Sequence, residues 1–203
     1  MSRKASNIGA PGSVRKSTSN APAPQQVVGN KRIKIISMGS GGSGKSCLIK
    51  RYCEDRFVTK YIATIGVDYG VKPVNLDGTE VRVNFWDFSG HNEFFEIRNE
   101  FYKDAQGCIL VYDVTSYESF HECDNWLAEA AKFGAKPGEI PVALCANKTD
   151  KSKQRVVTED EGRSFAAGRG LAYFETSAQS GQNVIEMFDN LFSLTYRQIS
   201  GGQ

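Results

Sequence analysis

The sequence predicts an α/β fold: a six-stranded, mainly parallel sheet with one antiparallel edge strand and helices on both faces. The first observation is that short apolar segments rich in β-branched residues alternate with amphipathic helical segments along the chain. This alternation is typical of a parallel sheet that is covered on both sides. The second is the dipeptide Asp77-Gly78 between two apolar segments, which favours a tight hairpin and therefore an antiparallel pair.

The first elements can be placed from their composition. Residues 33–38 are a β-branched run that ends at a glycine, which indicates a buried strand, and a helix follows over residues 47–52. The hairpin comprises residues 67–74 and 81–85, with the turn over residues 75–78.

Three strand-and-helix units complete the predicted sheet. Strands at residues 108–112, 140–146 and 172–174 precede helices at 120–131, at 159–168 and near the end of the chain. The last helix is amphipathic, and its apolar face holds Val184, Phe188, Leu191, Phe192 and Thr195.

The chain of 203 residues has room for one ordinary domain and a tail. Residues 1–30 contain four basic residues, no acidic ones and few large apolar side chains, so we predict a disordered basic tail. The domain is predicted over residues 31–198, followed by a short tail at 199–203. The net charge of +2 is too small to indicate a nucleic-acid-binding protein.

Cysteine usage and the absence of targeting signals indicate a cytoplasmic protein. The five cysteines contain no C-x-x-C pair, which is typical of a reduced compartment. There is no long apolar segment, no glycine at position 2 and no cysteine near the C-terminus that a lipid could modify. We therefore expect a monomer with no lipid anchor, recruited to membrane, centrosomal or flagellar structures only through protein contacts.

Residues 39–46 read G-S-G-G-S-G-K-S, a full match to the phosphate-binding pattern G-x-x-x-x-G-K-[ST]. The match lies between a predicted strand and a predicted helix, as this pattern requires. Its glycines allow backbone N–H groups to surround a phosphate, and the helix N-terminus adds a favourable dipole. Lys45 would reach the terminal phosphates of a nucleotide, and the Ser46 hydroxyl would bind Mg²⁺.

Residues 147–150 read N-K-T-D and follow the predicted strand at 140–146. A carboxylate such as Asp150 can accept hydrogen bonds from N1–H and the 2-amino group of guanine. Adenine lacks both donors and would leave the carboxylate unpaired. The aliphatic stem of Lys148 can lie across the base. Together with the phosphate-binding loop, this pattern predicts GTP and GDP as ligands, and it disfavours a kinase or an ATPase.

Over residues 31 to about 198 the chain resembles a small GTPase of the Ras superfamily, closest to the Rab branch. Besides the two motifs above, residues 61–66 (Y-I-A-T-I-G) resemble the first switch loop, 87–90 (D-F-S-G) the second, and 175–178 (E-T-S-A) the last base-contacting loop. The resemblance implies a P-loop small G-protein fold, GTPase activity, and a role in signal transduction or intracellular transport.

The resemblance also implies the residues of the site. Mg²⁺ would be held by Ser46, Thr64 and Asp87, and the catalytic residues would be Lys45, Thr64, Gly90 and His91. The nucleotide would contact Gly41, Gly42, Ser43, Gly44, Lys45, Ser46, Cys47, Phe57, Tyr61, Thr64, Gly90, Asn147, Lys148, Asp150, Ser177, Ala178 and Gln179. Effector and exchange-factor proteins would bind residues 57–70 and 88–103.

Residues 45–57, 98–104 and 145–150 resemble one subgroup, the Rab-like GTPases related to those that carry a C-terminal J domain. The sequence contains no His-Pro-Asp triad, so a J domain and its co-chaperone function are not predicted.

His91 stands where members that hydrolyse GTP usually place a glutamine that orients the attacking water. One interpretation is a slow or inactive hydrolase, a second is that His91 positions the water itself, and a third is a solvent-facing histidine with no role. Two functions follow: a GTP/GDP-dependent switch with very slow intrinsic hydrolysis, or a constitutively GTP-loaded scaffold with negligible hydrolysis.

Overall fold

Six strands form one sheet in the computed structural model, which describes residues 31–201. The strands are β1 (Lys31–Met38), β2 (Val67–Leu76), β3 (Thr79–Phe88), β4 (Gly107–Asp113), β5 (Val142–Asn147) and β6 (Ala172–Glu175). They lie in the order β2-β3-β1-β4-β5-β6. Only β2 and β3 pair in antiparallel fashion, and all other neighbours are parallel. The predicted six-stranded sheet with one antiparallel edge strand is confirmed.

Helices connect the strands. The α-helices are α1 (Lys45–Glu54), α2 (Phe95–Arg98), α3 (Tyr117–His121), α4 (Cys123–Lys132), α5 (Glu159–Ala167) and α6 (Val184–Gly201). Short 3₁₀ helices comprise Asn92–Phe94, Asn99–Phe101 and Thr149–Gln154. Within residues 31–201, every helix falls short of the length and apolar character that a bilayer-spanning helix needs.

The two faces of the sheet bury separate hydrophobic clusters, because successive side chains of a strand point to opposite sides. Ile36 belongs to the cluster that includes Trp126 of α4. Its neighbour Ile35 belongs to the cluster that includes Phe188 of α6. Helices therefore cover both faces, as predicted, and the loops at the carboxyl ends of the parallel strands are left open to a ligand.

The hairpin turn is tighter than the predicted four-residue segment. Asp77 and Gly78 both have positive φ, 50° and 80°, as the two central residues of a type I′ turn require. The Asn75 side-chain oxygen accepts a hydrogen bond from the Gly78 N–H at 2.9 Å. The strands therefore run up to the turn, to Leu76 and from Thr79.

Two predicted boundaries differ from the structure. The helix predicted at residues 120–131 consists of α3 and α4, which meet at Glu122, and it starts earlier because Ser116 caps α3 by accepting a bond from the Ser119 N–H. Helix α6 reaches Gly201, so residues 199–201, which we assigned to a tail, belong to that helix. The predicted tail at residues 1–30 and residues 202–203 lie outside the described residues.

Candidate functional site

A cleft with a volume of about 380 Å³ opens where the loops after β1, β3, β5 and β6 meet the segment between α1 and β2. Its size is in the usual range for a small-molecule site. Most of the predicted site residues line it: Gly41, Gly42, Gly44, Lys45, Ser46, Cys47, Phe57, Tyr61, Thr64, Gly90, His91, Asn147, Lys148, Asp150, Ala178 and Gln179. The structure thus brings together segments that are more than one hundred residues apart in the chain.

Three predicted residues lie behind the lining residues. They are Ser43, Asp87 and Ser177, all of them buried. Sequence reasoning missed six residues that do line the cleft: Lys50, Val58, Thr59, Lys60, Ile62 and Lys151. Spacing could have indicated most of them, because Lys50 lies one helical turn after Ser46 and residues 58–60 connect the predicted Phe57 and Tyr61.

The loop after β1 has the backbone conformation of an anion-binding site. Gly39, Gly42 and Gly44 have φ values of 131°, 76° and 103°, a region that side-chain-bearing residues rarely adopt. Gly44 caps helix α1 without a side-chain hydrogen bond, so the first N–H groups of the helix have no side-chain acceptor at that position. These N–H groups and the helix dipole would stabilise a phosphate.

Lys45 lies across the same loop. Its Nζ donates to the carbonyl oxygens of Gly39 at 2.7 Å and Ser40 at 3.0 Å. Burial lowers the pKa of Lys45 to about 8; the nearby Asp87 carboxylate opposes this shift and the Arg98 charge adds to it. A phosphate in the loop would favour the charged ammonium and raise that pKa again.

Three oxygen-bearing side chains converge beside the loop. The Ser46 hydroxyl lies 3.0 Å from the Thr64 hydroxyl and donates to Asp87. The other Asp87 oxygen accepts a bond from Ser37 at 2.6 Å. Burial raises the pKa of Asp87, and a cation at this position would lower it. Hydroxyl and carboxylate oxygens in this arrangement fit Mg²⁺, which prefers a few protein ligands together with phosphate oxygens.

The side chain of Asn147 connects the phosphate-binding loop with the loop after β6. Its Nδ2 donates to the Ser43 carbonyl at 2.9 Å, and its Oδ1 accepts from the Ala178 N–H at 3.2 Å. An added Cβ on Gly44 would lie 2.2 Å from that same Nδ2, so a glycine is required there. Asn147 therefore fixes the relative position of the two ends of the cleft.

Asp150 also lines the cleft, and a neighbouring hydroxyl orients it. Ser177 Oγ donates to Asp150 Oδ1 at 2.6 Å. Arg51 of α1 supports the same part of the cleft, because its guanidinium donates to the carbonyl oxygens of Ala178 at 2.9 Å and Gln179 at 2.8 Å. A carboxylate held in this way is suited to accept paired N–H donors from a planar base.

Comparison with known protein families identifies a match: a model of the Ras family matches residues 34–197. The chain belongs to the Ras family. Its domain is accordingly a small GTPase domain, and the predicted P-loop fold is confirmed.

The chain is similar to curated relatives named DnaJ homolog subfamily C member 27. The protein of Rattus norvegicus is 52% identical over 177 residues, which cover 86% of this chain and 65% of the relative. That of Danio rerio is 55% identical over 165 residues, covering 80% of this chain and 60% of the relative. The chain thus spans less than two thirds of the length of these relatives, and the predicted resemblance to the J-domain-related subgroup is confirmed.

At the phosphate end of the Ras-family site, His91 contacts both neighbouring loops. Its Nε2 lies 3.2 Å from the hydroxyl of Tyr61. Its ring lies so close to the phosphate-binding loop that an added Cβ on Gly41 would be 2.8 Å from Cε1. Gly90 approaches still closer, since its added Cβ would lie 2.2 Å from the Gly41 nitrogen. Residues 90–91 thus lie directly against the phosphate-binding loop, and Tyr61 contacts His91 from the first switch loop.

Asp113, beside Lys148, was not predicted as a site residue from the sequence. Lys148 has φ 69° and ψ 36°, a left-handed conformation that is uncommon for lysine. Its Nζ bonds to Asp113 Oδ2 at 2.6 Å, while Asp113 Oδ1 accepts from the Thr115 N–H at 2.9 Å. Asp113 therefore fixes the position of the Lys148 side chain beside the cleft.

We expect the Asp113→Asn variant to release guanine nucleotide about 3- to 10-fold faster, because it loses one charge-assisted bond but keeps an acceptor for Thr115. The measurement is dissociation of fluorescent GDP chased with excess GDP. Asp124→Asn is the matched control, since its ion pair with Arg169 is exposed and Asp124 does not line the cleft. Equal rates for the two variants would contradict a positioning role for Asp113.

Proposed function

We propose that this protein is a switch that binds GTP or GDP together with Mg²⁺ and hydrolyses GTP very slowly. The observation that carries the proposal is that Lys45 and Asp150 both line one cleft, although they come from different loops. A cleft that combines a phosphate-binding loop with a carboxylate that matches guanine would select a guanosine phosphate rather than a phosphate or a base alone.

Two residues and a metal ion would act on the terminal phosphate of GTP. Lys45 would neutralise its charge, and the Gly90 N–H would donate a hydrogen bond to it. Mg²⁺, held by Ser46 and Thr64 with Asp87 beside them, would stabilise the negative charge that develops during phosphoryl transfer. Loss of the terminal phosphate would remove the contacts of Thr64 and Gly90 and release both switch loops.

Slow hydrolysis is proposed because of His91. Its imidazole nitrogen is hydrogen-bonded to Tyr61, and its ring packs on Gly41, so the ring is held in place by protein contacts. A glutamine amide offers a donor and an acceptor on a longer side chain, whereas imidazole offers its two nitrogens in a rigid ring. We infer that His91 orients an attacking water poorly.

The test is single-turnover hydrolysis of bound GTP by the full 203-residue chain. We expect the native chain to turn over at less than about 10⁻⁴ per second, and His91→Gln to increase this rate at least about 10-fold. His121→Gln, a change on helix α3 outside the cleft, is the matched control. An ordinary rate for the native chain that His91→Gln does not improve would show that His91 is a competent substitute.

The second candidate is a GTP-loaded scaffold that is controlled by nucleotide exchange. The Tyr61–His91 contact favours it, because this contact joins the two switch loops directly. The same experiment separates the candidates, since GTP that remains intact over many hours and is recovered from the purified chain would favour the scaffold.

Partner proteins would bind the switch regions. Large apolar side chains are exposed there: Tyr61, Ile62, Ile65, Tyr69 and Ile97. An exposed apolar patch of this kind is typical of a protein-binding surface. We propose that effector and exchange-factor proteins contact residues 57–70 and 88–103, and that the protein acts in the cytoplasm.

A further inference from the structure

Arg98, at the end of helix α2, is the largest fully buried side chain in residues 31–201, with 2% of its surface exposed. Removing a guanidinium from water is strongly unfavourable unless its donors are satisfied. A buried ion pair is therefore weak evidence that a residue serves stability. The contacts of Arg98 indicate a second role.

The first contacts anchor Arg98 to helix α4. Its Nε donates to Glu129 Oε1 at 2.6 Å and its Nη2 to Oε2 at 2.9 Å, a two-pronged arrangement that fixes direction as well as distance. The guanidinium also lies over the ring of Trp126, 4.4 Å from its centre. Because Trp126 belongs to the buried cluster on this face of the sheet, the anchor is rigid.

The remaining hydrogen bond of Arg98 reaches the second switch loop. Arg98 Nη1 donates to the His91 carbonyl oxygen at 2.8 Å. His91 directly follows Gly90, which packs against the backbone of Ser40 and Gly41 with no room for a Cβ. Glu129, Arg98 and His91 thus form a continuous chain of hydrogen bonds from a core helix to the segment that lies on the phosphate-binding loop.

We propose that Arg98, anchored by Glu129, is a positioning residue that holds residues 90–91 against the phosphate-binding loop and so selects the triphosphate over the diphosphate. The inference rests on the proposed function. Gly90 would contact only the terminal phosphate, so freeing this segment should weaken the retention of GTP and leave GDP almost unaffected. If the ion pair only stabilised the fold, its loss would change the release of GTP and GDP to the same extent.

The test uses volume-matched substitutions that leave no unpaired buried charge. Tyr102 also donates to Glu129 Oε1, at 2.8 Å, so Tyr102→Phe is the background and the matched control. The test variant carries Arg98→Met and Glu129→Met in this Tyr102→Phe background. Relative to this control, we expect release of a fluorescent non-hydrolysable GTP analogue to accelerate about 10-fold, while release of fluorescent GDP changes less than about 2-fold.

Melting temperatures of the two variants establish that both fold. Equal acceleration for the two nucleotides, or no acceleration of the GTP analogue, would overturn the positioning role. A native chain that bound neither nucleotide would instead overturn the proposed function and this inference with it. The two failures are therefore distinguishable.

Discussion

The Asp150→Asn variant should lose guanine nucleotides and gain xanthine nucleotides. An asparagine amide cannot accept both guanine donors, because its N–H₂ group would face the 2-amino group of the base. Xanthine carries an oxygen at that position, which the same N–H₂ group can bond. We expect GDP affinity to fall on the order of 10⁴-fold, since polar groups would be left unpaired at the base. The measurement is competition of GDP, XDP and ADP against fluorescent nucleotide.

The fold should survive the Asp150→Asn substitution. The introduced amide would still offer its Oδ1 to the Ser177 hydroxyl, which in the native chain bonds to Asp150 Oδ1. Asp160→Asn, at an exposed position in helix α5, is the matched control and should leave GDP affinity unchanged. Retention of GDP affinity by Asp150→Asn would show that Asp150 does not contact the base.

The Gly90→Ala variant should bind GDP but lose its preference for GTP over GDP. Its Cβ would lie 2.2 Å from the Gly41 nitrogen and 2.4 Å from the Ser40 carbonyl carbon, and these are backbone atoms that cannot rotate away. The second switch loop would therefore move off the phosphate-binding loop. Moving the loop by about 1 Å is enough to reduce the rate of single-turnover hydrolysis about 100-fold or more. Affinities for GDP and for a non-hydrolysable GTP analogue would be measured alongside it.

Gly168→Ala controls for the glycine change itself. Gly168 has an ordinary helical φ of −64°, and its added Cβ would meet its nearest neighbour at 3.4 Å, an ordinary contact. It lies at the end of helix α5, outside the cleft. If Gly90→Ala kept the GTP preference and the hydrolysis rate of Gly168→Ala, the closed position of Gly90 would have no bearing on function.

Features that depend on one short contiguous segment could be predicted from the sequence. Residues 39–46 and 147–150 each combine side chain and backbone requirements within a few positions, and the structure places both at the cleft. The hairpin was predictable for the same reason, because Asp77-Gly78 alone specifies the turn.

Contacts between distant segments could not be predicted. Asp113 and Lys148 are 35 positions apart, and the Arg98–Glu129 pair is 31 apart. Neither pair has a local pattern, since each depends on which helix or strand end lies beside another after folding. The boundary between α3 and α4 was missed because no local feature marks it: Glu122 itself keeps a helical backbone conformation, with φ −70° and ψ −12°.

The bridging amide of Asn147 has a consequence for how the protein must be handled. Because it ties the loop after β1 to the loop after β6, a ligand that spans the cleft reinforces the same connections that hold the fold together. Ligand binding and unfolding are then linked by mass action, and free nucleotide at a thousandfold excess over its dissociation constant would add about 4 kcal/mol to the free energy of unfolding. The melting temperature of a purified sample is accordingly a property of the solution as well as of the chain.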